Sequence, residues 1–320
     1  MLTSADIKEK ARELGFDSCG IAPAADLPEL GFFPDWIDRG YAGDMDYLRR
    51  TAGRRADVRR ILPAARSVIV TGTVYNVDRP YSTECADPLR AHVARYAWGD
   101  DYHEVIEQRL DRLLAWMRDR SPLPFEARRY VDTGPVQERV YARHAGVGWI
   151  GKNTCVIHPA LGSWLFLGEI ICSLALDPDA PALDQCGTCT LCLEACPTGA
   201  LGEPAVLDST RCISYLTIEL RGPIPEPFHD AIGTHVYGCD ICQEVCPWNA
   251  TAPASGDAAW QPRPAWDMRT VAELSQMSDG DMRTAMRGSA TRRTKLDGVR
   301  RNLAVAIHNA EAKQAERFGR

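Results

Sequence analysis

The sequence lacks any apolar run long enough to span a bilayer. Its opening residues, Met1-Leu2-Thr3-Ser4-Ala5-Asp6, lack the basic and apolar stretches of a signal peptide. The expectation is a cytoplasmic protein with no membrane contact. A net positive charge is also missing, since 43 Asp and Glu outnumber 37 Lys and Arg for a net −6. That excludes a polycation, so an anionic partner must meet a local basic patch. No convincing internal repeat is present, which excludes a solenoid. What the chain has in quantity is cysteine: 12 residues. Thiols stay reduced in the cytoplasm, so the reading is metal binding rather than disulfides.

At 320 residues the chain exceeds one simple core and suggests two or three units. Residues 1–178 read as α/β. Helices are expected over 4–14, 102–118 and 136–144, and strands over 18–22, 67–74, 126–131 and 164–174. The 67–74 run SVIVTGTV is β-branched and reads as a buried strand, and 102–118 carries apolar residues at helical spacing. Alternation of this kind implies a sheet flanked by helices. Residues 179–250 hold a cysteine-rich unit with few apolar runs, too small to rest on a hydrophobic core alone. Residues 251–266, TAPASGDAAWQPRPAW, read as a linker. Two helices are expected after it, over 269–287 and 295–315.

The spacing Cys186-x2-Cys189-x2-Cys192-x3-Cys196-Pro197 is that of bacterial ferredoxins, in which the fourth cysteine ligates the other cluster. A second set, Cys239-x2-Cys242-x3-Cys246-Pro247, lacks the middle cysteine, and Cys212 can supply it. The count closes with Cys186, Cys189, Cys192 and Cys246 on one 4Fe-4S cluster and Cys196, Cys212, Cys239 and Cys242 on the other. Paired C-x2-C motifs also make zinc ribbons. The three-cysteine run and the trailing prolines favour iron–sulfur. Cys19, Cys155 and Cys172 lie in apolar stretches and read as core residues, while Cys85 receives no role.

Two patterns fail on inspection. Gly146-Val147-Gly148-Trp149-Ile150-Gly151-Lys152-Asn153 follows a helical stretch and has Asn where a phosphate loop needs Ser or Thr, so nucleotide binding is not expected. Asp101-Tyr102-His103 begins like a cobalt-ligating Asp-x-His-x-x-Gly motif, but Ile106 stands at the Gly position.

Longer motifs carry a resemblance. Arg95-Tyr96-Ala97-Trp98-Gly99-Asp100-Asp101-Tyr102-His103, Val131-Asp132-Thr133-Gly134-Pro135, Gly148 to Thr154, Gly162-Ser163-Trp164, the cysteine block and Arg221-Gly222-Pro223-Ile224-Pro225 together resemble epoxyqueuosine reductases over nearly the whole length. The resemblance implies a cobalamin-binding α/β (α+β) domain like that of reductive dehalogenases. A two-cluster ferredoxin-like domain and a short C-terminal helical segment, a partial HEAT-like region, would follow. Many family members continue into further HEAT-like repeats that help hold tRNA, which leaves the extent of the tRNA grip open.

The implied activity is the last step of queuosine synthesis, reducing an epoxide on the wobble base of tRNA to an alkene. Low-potential electrons must then come from cofactors, because amino-acid side chains cannot supply them. The resemblance implies two 4Fe-4S clusters and a cobalamin without a protein ligand below cobalt. It implies tRNAs for Tyr, His, Asp and Asn as partners. An external donor such as ferredoxin or flavodoxin and a monomeric state are also expected. Asp132 matches the family's proton donor, and burial beside a corrin would raise its pKa; on spacing alone Asp-Thr-Gly-Pro is also an ordinary turn. Cofactor contacts are expected from Arg55, Tyr96, Asp132, Lys152, Asn153, Ser163, Ser214 and Arg221. Basic clusters at Arg49–Arg60 and at Arg292-Arg293-Thr294-Lys295 with Arg300-Arg301 are candidate phosphate contacts. Two other readings stay open on the sequence: a corrinoid reductase of a small molecule, and a plain electron carrier.

Overall fold

Helix α1 (Ser4–Glu13) begins where Thr3 and Asp6 close a capping box. The chain then turns into β1 (Ser18–Pro23). Two short helices, α2 (Phe32–Asp38) and α3 (Asp46–Arg55), precede β2 (Ser67–Val74), every residue of which is buried. These and the elements below come from a computed structural model, which describes residues 2–318. After β3 (His92–Val93), Asp101 caps the long helix α4 (Tyr102–Arg120) by accepting the N–H of His103. The chain continues through β4 (Ala127–Tyr130), α5 (Glu138–His144), a hairpin of β5 (Trp149–Ile150) and β6 (Val156–Ile157), and β7 (Leu165–Cys172).

Strands β1, β2, β7 and β4 form one sheet in that order, antiparallel throughout. Period-2 alternation along β7 splits its side chains between two cores. Phe166, Ile170 and Cys172 pack with α1 and α4, including Ile7, Leu110 and Leu113. Leu167 and Ile171 pack with α5 through Val140 and Tyr141. The sheet flanked by helices expected from the sequence is therefore present, in antiparallel form.

The cysteine-rich unit adds two four-residue helices, α6 (Leu191–Glu194) and α8 (Ile241–Glu244). Between them lie α7 (His229–Ile232) and β8 (His235–Tyr237). Strand β8 pairs in parallel with β3 of the first unit, so the two units share a ladder.

Two sequence expectations change. Residues 251–266 are not a free tether: Trp260 is 3% exposed and sits in the core of the first unit, under the Arg109 guanidinium at 5.6 Å. Asp257 pairs with Arg109 beside it. Residues 269–287 form two helices rather than one, α9 (Val271–Gln276) and α10 (Asp279–Met286). Each has its own N-cap, Thr270 with Glu273 and Ser278 accepting from Asp281, and the second cap breaks the run. Helix α11 (Lys295–Phe318) closes the fold by burying Leu296, Val299, Leu303, Ala306 and Ala310 against β8 and α9. Among the described residues no helix is long and apolar enough to cross a membrane.

Candidate functional site

Asp132 follows β4 directly and has a left-handed backbone, φ 55°. Asp tolerates this region better than most residues, and its occurrence at a loop tip marks a constrained position. Neighbouring Gly134 is required sterically, since a Cβ there would meet the Tyr130 ring at 2.4 Å. The Asp132 backbone N–H donates to the Glu138 carboxylate at 2.5 Å, which ties the loop to α5. The Asp132 side chain is 60% accessible, and aromatic and charged side chains of several other elements face it. It therefore stands on the wall of an open cleft.

The groups facing it come from separate elements. Tyr47 and Arg55 come from α3, Tyr96 from the turn before α4, Tyr102 and His103 from the start of α4, Arg139 from α5, and Arg293 from the turn before α11. His103 Nε2 lies 3.3 Å from Asp132 Oδ2, and its Nδ1 lies 2.7 Å from buried Asp101. Despite its partial burial, hydrogen bonds and charge from both carboxylates lift the His103 pKa to about 9. Asp132 shifts the other way. Desolvation pushes it up, as the sequence suggests, but the His103 bond and charge prevail and hold it below the usual carboxylate range. The sequence expectation of a raised Asp132 pKa concerns the acid beside a bound corrin; in the chain by itself the contact with His103 favours the ionised carboxylate.

Glu169 is a second acid of this region, and it is absent from the candidates that the sequence suggests. It is 0% exposed, and among the described residues both carboxyl oxygens lack a conventional donor. Its neighbour is Glu138, with which it shares a side-chain contact. A signal was available, because Glu169 is the one charged residue in the apolar strand LFLGEIIC. His103 stands out in the sequence only through the incomplete cobalt-ligating motif.

The cysteines of the ferredoxin-like unit lie in two neighbourhoods. One cavity is lined by Cys186, Cys189, Cys192 and Cys246, with Lys152, Asn153 and Trp248 around them. Cys212 faces Cys196 and Cys239, and Cys242 faces Cys239 and Cys212. All twelve cysteines are free. Cys172 is a buried core residue as expected. Cys155 differs, since it lies among Cys192, Cys242 and Cys246 rather than in a purely apolar core.

The expected cofactor contacts divide by environment. Tyr96 faces the cleft, its hydroxyl donating to Tyr237 at 3.3 Å. Arg55 is buried, donating to the Val136 carbonyl at 2.8 Å under the Asp132 loop. Ser214 lies beside the Cys212 thiol. Arg221 is exposed and reaches the Arg293 carbonyl at 3.2 Å. The remaining three staple the two units together. Lys152 donates to the carbonyls of Gly187 and Cys189 at 2.7 and 2.8 Å, and Asn153 to that of Cys242 at 3.1 Å. Ser163 donates to Gln243 and accepts from Asn249, both at 2.9 Å. The glycine loop before them serves packing, because a Cβ on Gly148 would meet the Ile157 carbonyl at 2.4 Å.

The family of 4Fe-4S double cluster binding domains matches residues 185–249, and the family described as epoxyqueuosine reductase QueG matches residues 55–133. An epoxyqueuosine reductase of Gloeobacter violaceus is 43% identical over 95% of this chain and 96% of its own. The chain belongs to the epoxyqueuosine reductase family. A Xanthomonas campestris member is 40% identical over 96% of this chain and 87% of its own. The structure of the Streptococcus thermophilus enzyme superposes with TM-score 0.85 at 28% identity, covering 98% of this chain and 83% of the other. An epoxyqueuosine reductase solved with an epoxyqueuosine-modified tRNA-Tyr stem loop gives 0.83 at 30% identity, over 97% and 82%. Like other epoxyqueuosine reductases, the chain is an oxidoreductase with a double 4Fe-4S domain, which resolves the zinc alternative.

Basic side chains are distributed unevenly. Arg300 pairs with Asp279, and Arg301 caps the carbonyls of Leu216, Leu220 and Gly222, so both serve the fold. Arg293 pairs with Glu219. Arg292, which also pairs with Asp101 at 3.5 Å, lines a groove with Lys295, Arg283 and Arg287.

Proposed function

We propose that this chain reduces epoxyqueuosine to queuosine in tRNA, with Asp132 and His103 as its acid pair and the two thiol groups as ligands of its clusters. The observation that carries this reading is a short chain of neighbours. Tyr237 lies two residues before Cys239, its hydroxyl accepts from Tyr96 at 3.3 Å, and Tyr96 and Tyr102 both face Asp132. One cleft thus adjoins both the thiols and the acid.

The cleft suits cobalamin. Tyr47, Tyr96 and Tyr102 offer aromatic surface to a flat ring, while Arg55, Ser214 and Arg221 offer polar groups at its margins. Bound there, cobalamin would supply low-potential electrons to the epoxide, replenished one at a time through the clusters. The chain's own residues supply everything else. The carbon–oxygen bond breaks as charge builds on oxygen, and Asp132, recharged from His103, delivers a proton to it. Asp101, buried beneath His103, holds the ring in place for that transfer.

The three segments 1–178, 179–250 and 251–320 divide the work as cofactor cleft, electron entry and helical support. The shared β3–β8 ladder makes them units of role rather than of independent folding. The groove of Arg283, Arg287, Arg292 and Lys295 would meet tRNA phosphates, with the Tyr, His, Asp and Asn tRNAs as substrates. A one-electron donor of ferredoxin or flavodoxin type would serve a monomer.

The test is anaerobic incubation of reconstituted protein, cobalamin and reductant with epoxyqueuosine tRNA. Nucleoside mass spectrometry should show loss of one oxygen atom, only with cobalamin present. Reduction of a small halogenated compound with none of tRNA would replace this reading by the dehalogenase-like one.

A further inference from the structure

Removing an epoxide oxygen as water consumes two electrons and two protons. The first proton goes to the oxygen as one carbon–oxygen bond breaks, leaving a hydroxyl and an electron pair on the neighbouring carbon. That pair forms the alkene as the second carbon–oxygen bond breaks, and the departing hydroxide needs the second proton to leave as water. The His103–Asp132 pair accounts for one of these protons.

A second acid pair lies behind it. Glu169 projects from β7 onto the face covered by α5, between Val70 of β2 and Tyr130 of β4. Its carboxyl is wholly buried and among the described residues meets no N–H or O–H. Two ionised carboxylates cannot remain in contact there, and an isolated buried charge is costly. Its partner is the Glu138 carboxyl, so one proton must bridge the two. Glu138 in turn accepts the Asp132 backbone N–H at 2.5 Å. Asp132, Tyr102, Arg139 and Arg55 are the titratable groups facing Glu138, and Asp132 and Glu138 those facing Glu169. Burial and the Asp132 charge lift Glu138 to about 7, and burial with the Glu138 charge pushes Glu169 up as well.

We propose that Glu138 and Glu169 hold one shared proton behind the Asp132 loop, and that this pair recharges Asp132 with the second proton of the reduction. The pair acts through Asp132, so both are positioning and proton-storing residues. Strand β7 would otherwise gain by carrying an apolar residue at 169. The proposal rests on the reductase reading and adds to it a defined source for the second proton.

The test uses the full reconstituted chain. Glu169→Gln preserves size and can still donate a hydrogen bond to Glu138, but cannot release a proton. It should lower kcat at least ~10-fold, as loss of a positioned acid does, with KM for tRNA unchanged and the alkaline limb of the kcat profile displaced. Glu169→Asp should restore that limb. Wild-type kcat and an unaltered pH profile in Glu169→Gln would overturn the proposal. Infrared spectroscopy of the unmodified protein provides a readout without substitution. A protonated-carboxyl band should persist at neutral pH and disappear on mild alkalinisation, and its absence at neutral pH would equally overturn the proposal. Wild-type protein that shows the band but turns over no epoxyqueuosine tRNA would instead sink the reductase reading.

Discussion

His103 Nε2 faces Asp132 Oδ2 at 3.3 Å across the cleft wall. The pair combines a raised and a depressed titration, and the sign of each follows. The His103 pKa is raised to about 9 in the folded chain, so its stabilisation is complete below the unfolded value near 6.5 and fades as pH rises through 9. Asp132 is depressed, so its contribution is present above about 4 and lost in acid. Thermal denaturation should show a loss on the order of 2 kcal/mol between neutral pH and beyond 9, absent in His103→Gln. Parallel pH curves for the two proteins would refute the ion pair.

Asp132→Asn removes the acid while keeping size and the tight loop. Turnover of epoxyqueuosine tRNA should fall by about 100-fold or more, the range a positioned acid contributes. Iron content should be unchanged, because the loop carries no cluster thiol. Normal turnover would remove Asp132 from its role.

Asn249 is 2% exposed and bridges the units, accepting the Ser163 N–H at 2.7 Å and donating to the Gln243 carbonyl at 2.7 Å. Asn249→Ala strands both buried partners at a cost of about 2 kcal/mol. Lower stability to urea should be accompanied by faster iron loss to a chelator, since Gln243 adjoins Cys242. Stability loss without a change in iron release would show that the staple does not hold the cluster loop.

Trp260→Ala distinguishes a docked segment from a tether. Emptying this buried site should cost about 3 kcal/mol in denaturant unfolding. A change below about 0.5 kcal/mol, normal for an exposed substitution, would contradict burial of this side chain in the core.

Arg283 and Arg287 line the basic groove before α11. Replacing both with Gln should weaken tRNA binding and reduce the slope of log affinity against log salt by about 1 for each phosphate that is no longer neutralised. An unchanged slope would take the groove out of the interface.

The sequence alone determined the elements whose cause is local. Period-2 and period-3.6 patterns located β2, β7 and α4 to within two residues, because burial of one face imposes that periodicity. Cysteine spacing led to the expected partition of eight thiols, since reach along a short loop limits which can share a cube. The tertiary structure decided the electrostatics of the acid site. Residues 103, 132, 138 and 169 meet only when α4, α5 and β7 pack on one sheet, and the proton's location depends on those distances rather than on residue type. Packing likewise turned a Pro- and Ala-rich stretch into a docked strap, because one tryptophan found a pocket whose walls are distant in sequence.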